Sequence, residues 1–306
     1  MFDGESLSAK AQGLCAEKLA QLDRSYRREI MARLCFDRIE QKQEYIVDKF
    51  HDTDNWKETA YFMLLRALDI GANRKMYEKL ARILPYRCIN LVGHDRRSIE
   101  ALLLGCAGLL SRLKVVYADN AEIAALQSIY EYDSYKYGLK EMRAEEWQLT
   151  GHYGDNHPVV RLLQVACILS KHEHLLDSII ECRTKSDVEK FFRCSDIPRW
   201  AGDFLSSESR SGVISRDKSY MLGINVVAQM QIFYSEYTMR EGLDSRGLDL
   251  LEELPAENNT YIRRWARCKV VAQNALESQA LLQLSKEYCH SLNCEKCPFR
   301  RFLDTE

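Results

Sequence analysis

Few residues in this chain interrupt a helix. Its 306 residues include only 5 prolines and 14 glycines, the two residue types that break helical hydrogen bonding most severely. Strand signals are missing too, with no Asn-Gly hairpin dipeptide and no sustained apolar–polar alternation. No fixed-period self-similarity appears, so a helical-repeat solenoid has no support. A dominant charge is also lacking. The formal net charge of −2 excludes a global pull toward nucleic acid or anionic membrane and leaves room only for a local basic face. No apolar run approaches the roughly 18 residues that span a bilayer. The opening MFDGESLSAK is polar and acidic, unlike a secretory signal. P-loop, G-x-S-x-G, H-E-x-x-H and dinucleotide fingerprints are all absent, so catalysis has no warrant in the sequence.

What is present is the composition of a folded helical protein. Hydrophobic content of 46% against 29% charged residues argues against disorder. The apolar spacing predicts an all-α fold, an array of roughly a dozen helices without significant sheet. Residues 12–49 read as one or two long amphipathic helices, followed by a break at HDTDN with Asp54 as N-cap. WKETAYFMLLRALDI follows, closed by Gly71, then a helix from about Asn73 to Leu84 that stops at Pro85. Ser98–Leu113 carries Gly105, Ala107 and Gly108, small residues that let another helix approach closely. A tyrosine-rich helix spans about 119–140, and TKSDVEKFF opens on a capping-box pattern from Ser186 to Glu189. SYMLGINVVAQMQIFYSEYTM reads as a central core helix, and three helical stretches complete the chain: LDLLEELPAE, YIRRWARC and VVAQNALESQALLQLSKEYC. We expect a single helical domain over 1–306, with a subdivision at the turn-rich GHYGDNHP (151–158) and a long irregular loop over 194–218.

The cysteines divide into two groups. Eleven cysteines without a secretory signal read as reduced thiols of a cytoplasmic protein. Eight are scattered through helical patterns and read as small hydrophobes. The other three, Cys289, Cys294 and Cys297, form a C-x4-C-x2-C run closed by Pro298. The x2 spacing lets two thiolates on a tight turn face one ion, and in a reducing compartment such a run favours a metal over a disulfide. Zinc and an iron–sulfur cluster both accept this spacing, and each needs a fourth ligand. Cys15 and Cys268 are distant candidates, while His290 is adjacent but awkwardly directed. Reduced thiols in a C-terminal turn are the alternative.

Other constellations are less specific. His172 and His174 are two residues apart and would not share a face on a helix; His152 and His157 flank a turn. The basic runs are Arg24-Ser25-Tyr26-Arg27-Arg28, His94-Asp95-Arg96-Arg97, Arg263-Arg264-Trp265 with Arg267, and Arg300-Arg301. Interleaved with aromatics, such runs suit contact with a nucleic-acid backbone and bases, although arginine-rich helical faces are commonly just solvated. The residues expected to contact nucleic acid are Arg24, Arg27, Arg28, Arg263, Arg264 and Arg267.

The stretches EALLLGCAGLL (100–110), LDLLEELPAENNTYIRRW (248–265) and ALESQALLQLSKEYCHSLNCEKC (275–297), together with NHPVVRLLQVACIL, resemble the DUF2851 family of uncharacterised bacterial proteins. The resemblance implies that this chain corresponds to the family's C-terminal helical part. An N-terminal α/β half, reminiscent of PD-(D/E)XK nucleases, would then be missing. It also implies that the C-terminal cysteine run is a family feature and that Cys15 falls where another family cysteine tends to stand, which makes Cys15 the preferred fourth ligand. Residues 194–218 fit the family pattern poorly.

Three functions are thus in play. The first is a non-catalytic accessory module that binds a protein partner or supports the nuclease-like half, stapled by a C-terminal metal. The second is a nucleic-acid-binding module, and the third an enzyme whose pocket the sequence does not reveal. No membrane partner is expected.

Overall fold

The computed structural model describes residues 15, 16, 19, 21–150, 156–194, 197–205, 213–240 and 242–300. Its described residues form fifteen α-helices and no strand, so the all-α expectation holds. The first, α1 (Arg24–Thr53), begins where Asp23 accepts from the Ser25 and Tyr26 N–H groups, and buries Met31, Leu34, Cys35, Ile39 and Ile46 along one face. It is followed by α2 (Trp56–Arg66), α3 (Arg74–Ile83), α4 (Tyr86–Leu91), α5 (Arg96–Cys106), α6 (Leu109–Val116) and α7 (Ala121–Tyr137). The second half of the chain supplies α8 (Pro158–Lys171), α9 (Leu175–Glu181), α10 (Lys185–Phe191), α11 (Arg216–Leu222), α12 (Gln229–Thr238), α13 (Leu243–Glu253), α14 (Thr260–Arg267) and α15 (Ala275–Gln283). A π-helical segment, Gly223–Ala228, joins α11 to α12 without a break, and a second, Leu284–Cys289, continues α15.

Local chemistry sets several boundaries differently from the sequence reading. Asp54 is not an N-cap; it takes the left-handed conformation that ends α1, and Asn55 caps α2 through the Lys57 N–H. Gly71 does not close α2, which ends at Arg66; Gly71 instead donates its N–H to Asp69. Pro85 does not merely stop α3. It caps α4, whose first two free N–H groups, on Tyr86 and Arg87, are taken by the Glu58 carboxylate at 2.7 and 3.0 Å. The stretch read as one helix over 98–113 is two, because Gly108 sits at φ +72° and a side chain there would overlap the Met142 carbonyl. The capping box of α10 uses Thr184 and Asp187, two residues earlier than expected. Within 194–218, residues 199–204 form a 3₁₀ turn that buries Trp200 and Ala201, and α11 already begins at 216. Of the 151–158 turn, residues 151–155, including His152, lie outside the described residues, and His157 caps α8.

Packing centres on two groups of helices. In the first, α5 lies between α7 and α8, and Gly105 lets the Tyr130 ring of α7 sit against the α5 backbone, as its small size suggested. In the second, α15 packs along α1, while α13 covers α12. The apolar run through α11 and α12 is a core element, with Leu222, Val226, Val227, Ala228 and Met230 fully buried. No helix among the described residues is long and apolar enough to cross a membrane.

Candidate functional site, a cation-lined cavity

Helix α1 carries a second stripe beside its apolar one. Arg38, Lys42 and Tyr45 recur at the i, i+4, i+7 spacing of one helical face, and all three line a cavity of about 1080 Å³. Opposite them, the C-terminus of α2 contributes Arg66, the start of α3 Arg74, α8 Arg161, and α11 Lys218. Lys286, in the π-turn after α15, stands exposed near the rim. The loop 255–260 and Asn225 complete the wall. Seven cations thus face three lining acids, Asp217, Glu257 and Glu287.

Most of these cations are held by neutral groups. Lys42 Nζ donates to Asn225 Oδ1 at 3.2 Å and to Gln279 Oε1 at 3.1 Å, and Arg38 Nε donates to the same Gln279 oxygen at 2.8 Å. Gln279 in turn donates to Glu257, so that carboxylate reaches the pair through an amide. Lys218 Nζ donates to the Leu68 carbonyl at 2.8 Å. Arg161, only 3% exposed, donates to Gln164 and Asn156, each at 2.8 Å. Arg66 does have an acid, Glu78 at 2.8 Å, and its guanidinium lies 3.6 Å over the Tyr45 ring.

The electrostatic consequence is strain on the charged forms. Burial, then repulsion by Arg38, lowers the Lys42 ammonium to about 7 from the ordinary 10.5. Burial, then Arg161, lowers Lys218 to about 7 as well. Lys286 and Arg74 are also pushed down, first by burial and then by neighbouring arginines, Arg38 for the one and Arg66 for the other. A polar cavity of this size, with cations on both walls and carboxamides and tyrosine hydroxyls between them, is built to receive an anion. An anion in the cavity would favour the protonated forms of Lys42 and Lys218.

The basic runs singled out in the sequence lie mostly elsewhere. Arg24, Arg28 and Arg267 are exposed, and Arg28 pairs with Glu252 at 2.9 Å. Arg27 pairs with Glu277 at 3.7 Å and donates to the Val271 carbonyl. Arg264 lies close enough to Cys289 to stabilise its thiolate. Arg263 donates to Asn258 and Thr260, both of which line the cavity. The cavity cations come one or two at a time from six separate stretches of chain, so no basic run in the sequence marks them. The Arg38–Lys42–Tyr45 spacing was the available signal, a polar stripe at the period reserved for burial.

Cys289, Cys294 and Cys297 lie on the C-terminal turns, and Cys15 adds to the pKa shifts of Cys289 and Cys297. Burial raises the Cys289 thiol to about 12, and Cys297, Cys15 and Cys294 all lie near enough to add to the shift. Cys297 is raised by burial too, with a smaller effect from Cys15 and Cys294 and a lowering hydrogen bond from the Phe299 N–H. Among the described residues, no three His, Cys, Asp or Glu side chains are gathered tightly enough to hold a metal ion as they stand. His172 stacks on Phe191 and its Nε2–H donates to the Phe191 carbonyl at 3.1 Å, a packing role.

A family model described as "Protein of unknown function (DUF2851)" matches residues 4–260. The match starts near the N-terminus, and the cysteine run at 289–297 falls outside it. No curated protein and no solved structure matches the chain.

Proposed function

The chain belongs to the DUF2851 family, to which no function is assigned, and from its own geometry we propose that it is a non-catalytic helical module that binds a phosphate-bearing polyanion, a single strand of nucleic acid, in the cation-lined cavity. One observation supports this reading: Arg38, Lys42, Arg74 and Lys218 converge on one half-open space, each donating to an amide or carbonyl oxygen. A cation in such surroundings costs stability unless a ligand offsets it. Tyr261, exposed and lining the cavity, supplies a ring face on which a base can stack. The size of the cavity suits one or two nucleotides with their phosphates.

The test is fluorescence anisotropy of a labelled oligothymidylate titrated with the protein over a salt series. Expected is binding that weakens with a log–log slope of about −2, the value for roughly three phosphate contacts on a single strand. Binding at pH 6 should be tighter than at pH 8, because Lys42 and Lys218 gain their protons between these values. Absence of binding at low salt, or binding indifferent to salt, contradicts the proposal. Binding of inorganic triphosphate, read by calorimetry, with no affinity for the oligonucleotide would instead assign the cavity to a small polyphosphate.

A further inference from the structure

Two turns of a rare kind border the cavity. Among the described residues the π-helical segments are Gly223–Ala228 and Leu284–Cys289. Each places side chains in the cavity wall, Asn225 from the first and Lys286 and Glu287 from the second. Such turns interrupt regular α-helical hydrogen bonding and frequently stand at functional sites.

Behind this wall lies a side chain that holds two of the cations together. Gln279, on α15, is only 2% exposed. Its Oε1 accepts from Arg38 Nε at 2.8 Å and from Lys42 Nζ at 3.1 Å, so a single oxygen sets the two cations side by side. Its Nε2 donates to Glu257 Oε1 at 2.9 Å. That bond fixes which end of the amide faces the cations, because a carboxylate accepts from N–H and not from an oxygen. Glu257 is anchored in turn: its backbone N–H donates to Ser278 Oγ at 3.2 Å, and its Oε2 accepts from Asn259 Nδ2 at 2.9 Å. Among the described residues Glu257 forms no ion pair with Arg38 or Lys42. Asn225 repeats the arrangement from the first π-turn. Its Nδ2 donates to the Met221 carbonyl at 2.8 Å, and its Oδ1 accepts from Lys42 Nζ at 3.2 Å.

An amide oxygen orients a cation without cancelling its charge, whereas a carboxylate in the same place does both. Glutamine and glutamate have nearly the same shape, so packing alone does not call for the neutral side chain at 279. Exchanging the side chains of residues 257 and 279 would preserve the bonds among them and move the negative charge next to the pair. The Nη donors of Arg38 and the third N–H of Lys42 have no partner among the described residues, and both residues line the cavity. Those donors face the space a ligand would fill.

Resting on the reading of the cavity as a phosphate site, we propose that Gln279 is its positioning residue. It sets Arg38 and Lys42 together as a seat for one phosphate and keeps the Glu257 carboxylate off them, so that the counter-charge comes from the ligand.

The double variant Gln279→Glu/Glu257→Gln tests this, because it leaves the net charge of the chain unchanged. Anisotropy with labelled oligothymidylate and calorimetry with inorganic triphosphate are run over a salt series on wild type, the double variant and Glu257→Gln alone. Expected for the double variant is at least a tenfold loss of oligonucleotide affinity. Its log–log salt slope should be shallower by about 0.7, the value of one phosphate contact on a single strand. A merely structural role would leave that slope in place. Glu257→Gln alone should bind at least as tightly as wild type. If urea unfolding shows that the double variant does not fold, Asn225→Asp takes its place, bringing a carboxylate to Lys42. It should give the same loss, and Asn225→Ala less than threefold. A carboxylate variant that binds within threefold of wild type with an unchanged slope overturns the proposal and leaves the strand reading standing. A wild type that binds triphosphate alone overturns the strand reading, and the same comparison made with triphosphate then decides the proposal. A wild type that binds neither probe overturns both.

Discussion

A lysine ammonium held among other cations lowers the stability of the free protein, and Lys42 and Lys218 both do so. Their folded-state values of about 7 lie below the ordinary 10.5. Between these limits the unfolded chain binds more protons than the folded one, so folding stability rises as pH increases from about 7 to about 10.5. Below pH 7 both states are protonated and the full penalty applies. Lys42→Met is therefore expected to stabilise the ligand-free protein by about 1 kcal/mol at pH 7, with the gain vanishing near pH 10. Urea denaturation of wild type and variant at the two pH values checks this. The same variant should bind the oligonucleotide more weakly, the trade between stability and function expected of a binding residue. An unaltered or lowered stability at pH 7 would mean that the ammonium is adequately solvated in place.

At the scale of helices, the legible parts are those fixed by neighbours in sequence. The apolar pattern of α1 and of the α11–α12 run marks both as helices in the sequence, and Gly105 announces the close approach that Tyr130 makes. Caps decided by contacts distant in sequence were not legible. Nothing local marks Glu58, on α2, as the group that takes the Tyr86 and Arg87 N–H donors of α4. Glu58→Ala leaves those donors half-buried without an acceptor and should cost about 2–3 kcal/mol, measured by thermal or urea unfolding. Gly108 looked like one more small residue of a continuous helix. Its positive φ and the Met142 carbonyl above it make it instead the hinge between α5 and α6. Gly108→Ala should therefore destabilise by about 2 kcal/mol or more, combining left-handed strain with overpacking. Gly138, also at positive φ but with open space around it, should cost less than Gly108 when changed to Ala.

For the whole molecule, the charge count conceals the important feature. A net charge of −2 averages a cavity rich in cations with the rest of the chain, so composition alone gives no sign of the anion partner proposed above. Topology made the difference, bringing α1, α3, α8 and α11 to one space, with the end of α2 and the turn after α15. The same convergence gives a thermal signature. A polyanion that binds only the folded state should raise the melting temperature with concentration, by about 2.7 kcal/mol of stability at a hundredfold excess over Kd. The exposed arginines near the start of α1 and in α14, which the sequence put forward, share one region, since Arg27 reaches Val271 just past α14. They offer the competing location for a nucleic-acid strand.

Comparing two multiple variants with the wild type separates these locations, and it is the most direct test of the cavity as the binding site. Oligothymidylate affinity is measured at low salt for Arg38→Gln/Lys42→Met/Lys218→Met and for Arg24→Gln/Arg28→Gln/Arg267→Gln, each removing three positive charges. The cavity variant should lose at least thirtyfold in affinity, about 2 kcal/mol, while the exterior variant stays within about threefold of wild type. Equal losses in both, or a loss confined to the exterior variant, would contradict the account and return the binding surface to the exposed arginines.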